Sequence, residues 1–477
     1  MARRVLGGER LYRDILEINP PLIVWLHLPI VWMERLSGIS ATFMVRAALY
    51  AGIVASSVTS TRLALSACPT TWLQHRRLAT LLVASVLILL PLGAFSEREQ
   101  WITLLLLPSV ALAAARSVGA SVRQPTALLV GVAAGVAYSL KPQYLPVWLL
   151  LGATRSAYLR SLRVSVEDCA TLLTGSVYVA AVLILSPAFL RMAVTFGPAY
   201  ARYTAKTRTR ILFASPEVYW WLAAALAWRV RRRGDRDSLG GMLMAACLGS
   251  LIAVMIQGKG WLYQFLPLST FALLLAAYAV ALAAPSSATR PARLARAVAL
   301  LILLGVSSPL VARTAEINWQ RAKGDTERRR EVADLLSLIR TVPWARTLQV
   351  LSSDLSAFPL AERAGLAEHH TMPHLWVPIT VYRSRLAPER PIALQRPDEM
   401  AQPERVAFDA TVHDIRRTPD LLMVESPERN ELQSAYPGGF DHLTYYGQDP
   451  AVRTVLAQYR LVGRSHGFLL YARVRQP

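Results

Sequence analysis

Long apolar runs broken by short polar connections fill the first two thirds of the chain. Their lengths predict helices crossing a bilayer at about 41–66, 78–95, 101–118, 126–140, 144–154, 169–187, 211–228, 240–257, 262–284 and 297–312. The fifth run is too short to cross as a straight helix and needs tilt, a break or its polar flanks to do so. Beyond residue 312 the pattern changes to alternating helical and strand-like stretches. A helix is expected from Thr326 to Arg340, a strand from Leu348 to Ser352, a helix from Arg405 to Arg417, a strand from Leu421 to Glu425, and a hairpin of Tyr459–Gly463 with Phe468–Val474. The expected fold is therefore an all-α polytopic membrane domain (41–312) followed by a small α/β domain (313–477) outside the membrane, with 1–40 as a loop and amphipathic segment ahead of the first span.

Composition agrees with that class. The 477 residues are 53% apolar, which excludes a soluble enzyme with one large core. A net charge of +21 would suggest nucleic acid in a soluble protein, but many of the arginines lie in short loops between spans, where positive charge keeps loops cytoplasmic. Alternate loops carry fifteen Lys and Arg against eight, the richer set running from Arg76 and Arg77 to Arg290, Arg293 and Arg296. The poorer set, the first forty residues and the C-terminal domain then face outward. Export of Arg3, Arg4, Arg10 and Arg13 without a preceding helix strains this assignment; an upstream helix before Met1 would relieve it, and so would a membrane hairpin at 21–33 with a cytoplasmic N-terminus. No cleavable leader is legible at the N-terminus. Cys68, Cys169 and Cys247 lie in or beside spans and form no framework or CxxC site.

On this count the polar interruptions Ser96-Glu97-Arg98-Glu99-Gln100, Lys141-Pro142-Gln143 and Gln257-Gly258-Lys259-Gly260 share the outward face with Asp14 and Asn19-Pro20-Pro21. Ionisable groups at membrane depth are costly, so their convergence reads as a site. Asp14 could deprotonate an acceptor hydroxyl, or simply pair with Arg10 or Arg13 at the surface. Glu17 could assist it or ligate a divalent cation, a solvated glutamate being the plainer reading. Glu97, Arg98 and Glu99 could bind substrate or close an ion-paired helix terminus, and Lys141 could snorkel to headgroups. In Gln257-Gly258-Lys259-Gly260-Trp261-Leu262-Tyr263 the glycines free backbone amides, Lys259 offers a point charge for phosphate, and Trp261 and Tyr263 can pack on a sugar or anchor the interface. Arg202 to Arg210, with Tyr200 and Tyr203, offers charge to an anionic lipid. His369, His370 and His374 are interrupted by Pro373 and lack a metal-protease pattern, so no metal site is assigned to them.

The order of these motifs resembles an uncharacterised bacterial branch of the C-superfamily (GT-C) glycosyltransferases, which includes the protein mannosyltransferases and aminoarabinose transferases that use polyprenyl-phosphate sugars. The resemblance implies a multi-pass protein of the bacterial inner membrane and an acidic catalytic base in the first outer loop, by position Asp14. It also implies a polyprenyl-phosphate-linked sugar donor and a lipid, glycan or protein acceptor. Arg98, Lys141 and Lys259 would hold the departing phosphate. The chain departs from the branch at Gln100, Gln143 and Gln264, where histidine is usual; glutamine hydrogen-bonds but cannot shuttle a proton, which marks altered substrate or lost activity. Two other readings stay open: a transporter or flippase, and a non-catalytic scaffold for envelope-polysaccharide assembly.

Overall fold

The computed structural model describes residues 1–67, 76–91, 95–203, 207–231, 237–282, 326–354, 360–368, 370–383, 392–430, 432–433 and 438–474. Helices α1 (Ala2–Leu6) and α2 (Leu22–Ser37) precede the bundle. The bundle comprises α3 (Ala41–Ala67), α4 (Arg76–Leu89), α5 (Arg98–Ser117), α6 (Gln124–Leu140), α7 (Leu145–Leu159), α8 (Val166–Leu185), α9 (Ala188–Arg202), α10 (Arg208–Ala214), α11 (Pro216–Arg231), α12 (Ser238–Gln257) and α13 (Leu266–Leu282). Of the described helices, five are long and apolar enough to cross a bilayer, or six if α10 and α11, bent by 47° at Ser215, form one broken span. That is fewer than the ten spans expected. The difference falls on α6 and α7, which have only 17 and 15 residues, and on α4, which is described over 14. The short fifth run is extended by its polar flank, a 3₁₀ turn at Pro142–Tyr144 that leads directly into α7. The expected span at 297–312 lies outside the described residues.

α5 and α12 form the centre of the bundle and are largely buried, whereas α3 and α8 expose most of their apolar surface, as lipid-facing helices do. Without water to drive them together, helices approach where side chains are small. Gly131 and Gly135 put the α6 backbone against α8 so closely that a β-carbon would sit 2.4 Å from the Glu167 carbonyl oxygen and 2.5 Å from Thr174 Cβ. At that end of the bundle Arg155 pairs with Asp168 at 2.6 Å and Arg116 with Glu167 at 3.2 Å, so two of the arginines that set the loop-charge count are neutralised by acidic partners.

The C-terminal unit begins with helix α14 (326–340) and contains β1 (Thr347–Leu351), α15 (Leu360–Ala364), β2 (Ala367–Glu368), α16 (Trp376–Arg383), α17 (Gln402–Arg416), β3 (Leu421–Glu425), α18 (His442–Tyr446), α19 (Pro450–Leu456), β4 (Tyr459–Ser465) and β5 (Phe468–Arg473). The sheet order is β2-β1-β3-β5-β4, parallel between β1 and its two neighbours and antiparallel at β3/β5 and β5/β4. Central β3 is buried on both faces, hence its unbroken apolar run. Leu421 and Met423 pack on α14 through Val332, Leu335 and Ile339; Leu422 and Val424 enter the opposite core with Phe408 and Tyr445. Phe196 and Ala199 of α9 belong to that second core, which fixes the domain onto the bundle.

The N-terminal segment joins the same face. Leu16 N–H donates to the Thr371 carbonyl at 2.7 Å, Arg4 donates to the His370 carbonyl at 2.6 Å, and Arg3 pairs with Glu362. The first forty residues and the α/β domain therefore lie together.

Candidate functional site

The bundle end beneath the domain is built from chain breaks. Pro142 excludes α-geometry for the residue before it, so Lys141 ends α6 in extended conformation (φ −149°, ψ 96°). Its ammonium turns inward to Glu99, in the first turn of α5, and lies 5.4 Å from the centre of the Tyr263 ring. Glu99 is fully buried, and its Oε2 accepts no hydrogen bond among the described residues. The pair is thus internal, which replaces the snorkelling reading of Lys141. Tyr144 donates to the Gln264 carbonyl at 3.2 Å, and Gln264 Nε2 donates to Gln257 Oε1 at 3.0 Å, closing the floor. Gln100 is likewise committed: it accepts from Ser96 N–H at 2.7 Å and donates to the Leu87 carbonyl at 3.1 Å. Burial and the adjacent Glu99 push the Glu97 carboxyl above its ordinary range.

Arg98 reaches across to the N-terminal segment, donating to Asn19 Oδ1 at 2.8 Å. The loop that presents Asn19 is tightly wound. Tyr12 occupies the left-handed region (φ 69°), its hydroxyl donates to the Asn19 carbonyl at 2.6 Å, and its ring packs on Phe189 at 5.2 Å. Glu17 Oε1 accepts from Ile18 N–H, Asn19 N–H and Asn19 Nδ2, whereas no described residue donates to Oε2. The Asn19 side chain thus joins Glu17 to Arg98, and burial shifts the pKa of the nearby half-buried Tyr200 hydroxyl upward.

Asp14 is not part of this gathering. Its carboxylate accepts from Arg10 N–H at 2.7 Å and from Arg10 Nε at 3.2 Å, and these bonds hold it below the usual carboxylate range. Its charged neighbours are Arg10 and Arg13, the surface pairing that the sequence also allowed.

Lys259 is diverted as well. Gly258 caps α12 in the left-handed conformation (φ 61°) and Gly260 adopts φ 65°, so the loop doubles back and carries the lysine to the end of α9. There the ammonium donates to the carbonyls of Tyr200 and, at 2.7 Å, Tyr203, and sits 4.0 Å from the Tyr200 ring centre. The Tyr200 carbonyl also accepts from Tyr203 N–H at 3.1 Å, so the lysine adds to the turn that closes α9. Burial lowers the Lys259 pKa to about 8. Lys259 therefore closes the C-terminal end of α9 in this structure. Trp261 lies 5.7 Å from the rings of both Tyr203 and Tyr263, and Tyr200 and Tyr203 flank Trp376 of α16. Trp376 is the site residue that the sequence reading missed, since nothing in the irregular stretch around it fixes which surface it covers.

Among the described residues no three His, Cys, Asp or Glu side chains form a metal-binding group. His370 accepts from Val350 N–H at 2.6 Å and His374 lies 2.6 Å from the Ser353 carbonyl, while His369 is outside the described residues.

No protein-family model matches the chain, and no curated protein does. Among solved structures, the crystal structure of ArnT from Cupriavidus metallidurans bound to undecaprenyl phosphate has a similar fold, with a TM-score of 0.52 over 99% of this chain and 92% of that one, at 14% identity. The likeness bears out, at the level of fold, the GT-C resemblance read from the motif order.

Proposed function

We propose that the protein is a membrane glycosyltransferase that moves a sugar from a polyprenyl-phosphate carrier to a hydroxyl acceptor at the outer face of the bacterial inner membrane. The observation that carries this reading is the convergence of Glu17 and Arg98, joined through Asn19, with the Glu99–Lys141 pair beneath the α/β domain. A fold shared with a protein crystallised with undecaprenyl phosphate supports the class of donor.

The chemistry follows from the groups present. Glu17, with Oε1 held by three donors and Oε2 left to accept, takes the proton of the acceptor hydroxyl. The acceptor oxygen bonds to the anomeric carbon as the bond from that carbon to the phosphate oxygen breaks. The electron pair leaves with the polyprenyl phosphate, whose charge Arg98 receives through a planar guanidinium suited to phosphate. Glu99 neutralises Lys141 and keeps the local field from trapping the product. Asp14 is assigned no proton transfer in this scheme, because Arg10 occupies its carboxylate.

The test is transfer of a radiolabelled sugar from a polyprenyl-phosphate donor by the full chain in membranes. Glu17→Gln is expected to lower turnover by about 10²–10⁴-fold, the usual loss for a general base. Undiminished transfer by that variant would remove Glu17 from the role, and failure of the parent chain to transfer with any such donor would leave the scaffold reading in its place.

A further inference from the structure

At the bundle end opposite this site, α3 and α4 border a groove of about 450 Å³ that plays no part in the proposed transfer. Val58, Thr61, Arg62 and Leu65 line it from one face of α3, and Arg76, Arg77, Thr80 and Leu81 from the start of α4. Three arginines thus meet around one opening. Among the described residues none of them has an acidic partner, and the connecting segment 68–75 contains no Asp or Glu. Elsewhere at this end Arg116 and Arg155 are paired with Glu167 and Asp168.

Thr61 also lines a second cavity, of about 90 Å³, that continues into the bundle between α3, α4, α5, α12 and α13. Its walls are apolar and partly small, with Ala64, Ala79, Val83, Leu107 and Leu243 among them. Thr61 borders both spaces and Ser60 the apolar one; their hydroxyls are buried, each residue 4% exposed, and neither has a hydrogen-bond partner among the described residues. A buried hydroxyl without a partner is costly, and a ligand acceptor would satisfy it.

We infer that this groove is a binding site for one anionic phospholipid: its phosphate lies among Arg62, Arg76 and Arg77, its ester carbonyls accept from Ser60 and Thr61, and the start of an acyl chain enters the apolar cavity. Charge, unpartnered donors and an apolar recess follow one another in the order in which a phospholipid presents phosphate, ester and chain. A soluble anion would use the first of the three alone.

The experiment is lipid retention by the full-length protein, purified in detergent and read by native mass spectrometry with phosphatidylglycerol against phosphatidylcholine. The parent chain is expected to keep phosphatidylglycerol selectively. Each arginine at an anionic headgroup contributes about fivefold, so Arg62→Gln/Arg76→Gln/Arg77→Gln lowers retention on the order of a hundredfold. The thermal midpoint of that variant in phosphatidylcholine stays at the parent value, which shows that it folds. Arg123→Gln/Arg160→Gln/Arg163→Gln, which removes three exposed arginines from other loops of the same end, leaves retention unchanged. Equal loss in both triple variants would reduce the effect to bulk charge and overturn the site. Parental retention in the first variant, no preference for phosphatidylglycerol, or displacement by inorganic phosphate alone would overturn it too.

Discussion

Replacing Lys141 with Met leaves a carboxylate with no counter-charge in the protein interior, and the structure sets the size of the consequence. Glu99 has no exposed surface and the Lys141 side chain is 10% exposed, so solvent screens neither. Two unit charges about 3 Å apart at an effective dielectric of 20 attract by roughly 5 kcal/mol, and removing one partner of such a buried pair typically costs about 3–5 kcal/mol. Glu99→Gln/Lys141→Met removes both charges at nearly constant volume and is expected to recover about 2–3 kcal/mol of that loss. The measurement is a double-mutant cycle on unfolding in mixed micelles, run beside transfer activity. Turnover should follow the same order, with Lys141→Met nearly inactive because a stray negative charge faces the phosphate, and the double variant partly restored. A coupling energy below about 0.5 kcal/mol, within the range of independent sites, would refute the pairing and the electrostatic argument built on it.

Asp14→Asn should keep transfer within a few-fold of the parent while Glu17→Gln loses it, which side-by-side rates in membranes would decide. Arg98→Lys keeps the charge but loses the planar fork, and should raise the KM for the polyprenyl-phosphate donor more than it lowers kcat. Burial holds the Lys259 pKa at about 8 against an ordinary 10.5, so between those values the unfolded chain binds more protons and Lys259 makes stability rise with pH. Lys259→Met should flatten that rise in thermal midpoints taken across the window. Gly135→Leu should part α6 from α8 and lower the thermal midpoint by several degrees, whereas Gly152→Leu, where a β-carbon meets no atom within 4 Å, should be nearly silent.

Elements with a strong local signal were legible in the sequence. The strand Leu421–Glu425 lies where its apolar run placed it, and α14 and α17 where their periodicity did. The shared face of Arg98, Lys141 and Lys259 followed from counting loops. What each charge does there did not follow, because it depends on partners far away in sequence. Lys141 pairs with Glu99 forty-two positions earlier, and Lys259 donates to the carbonyl of Tyr203, fifty-six positions before it. Asp14 was chosen by position within a motif, yet a residue four places away claims its carboxylate. Trp376 shows the same limit from the domain side, since its neighbours Tyr200 and Tyr203 come from a separate element.

The segment that bears Glu17 is fastened at two points: Leu16 to Thr371 of the α/β domain and Asn19 to Arg98 of the bundle. Only Glu17 and Ile18 lie between the two anchors. Chain length over this bridge is therefore a spacer of fixed gauge, and a single inserted residue here would displace the carboxylate by about 3 Å, more than a hydrogen bond tolerates. A much longer insertion into an exposed loop elsewhere would leave that distance untouched.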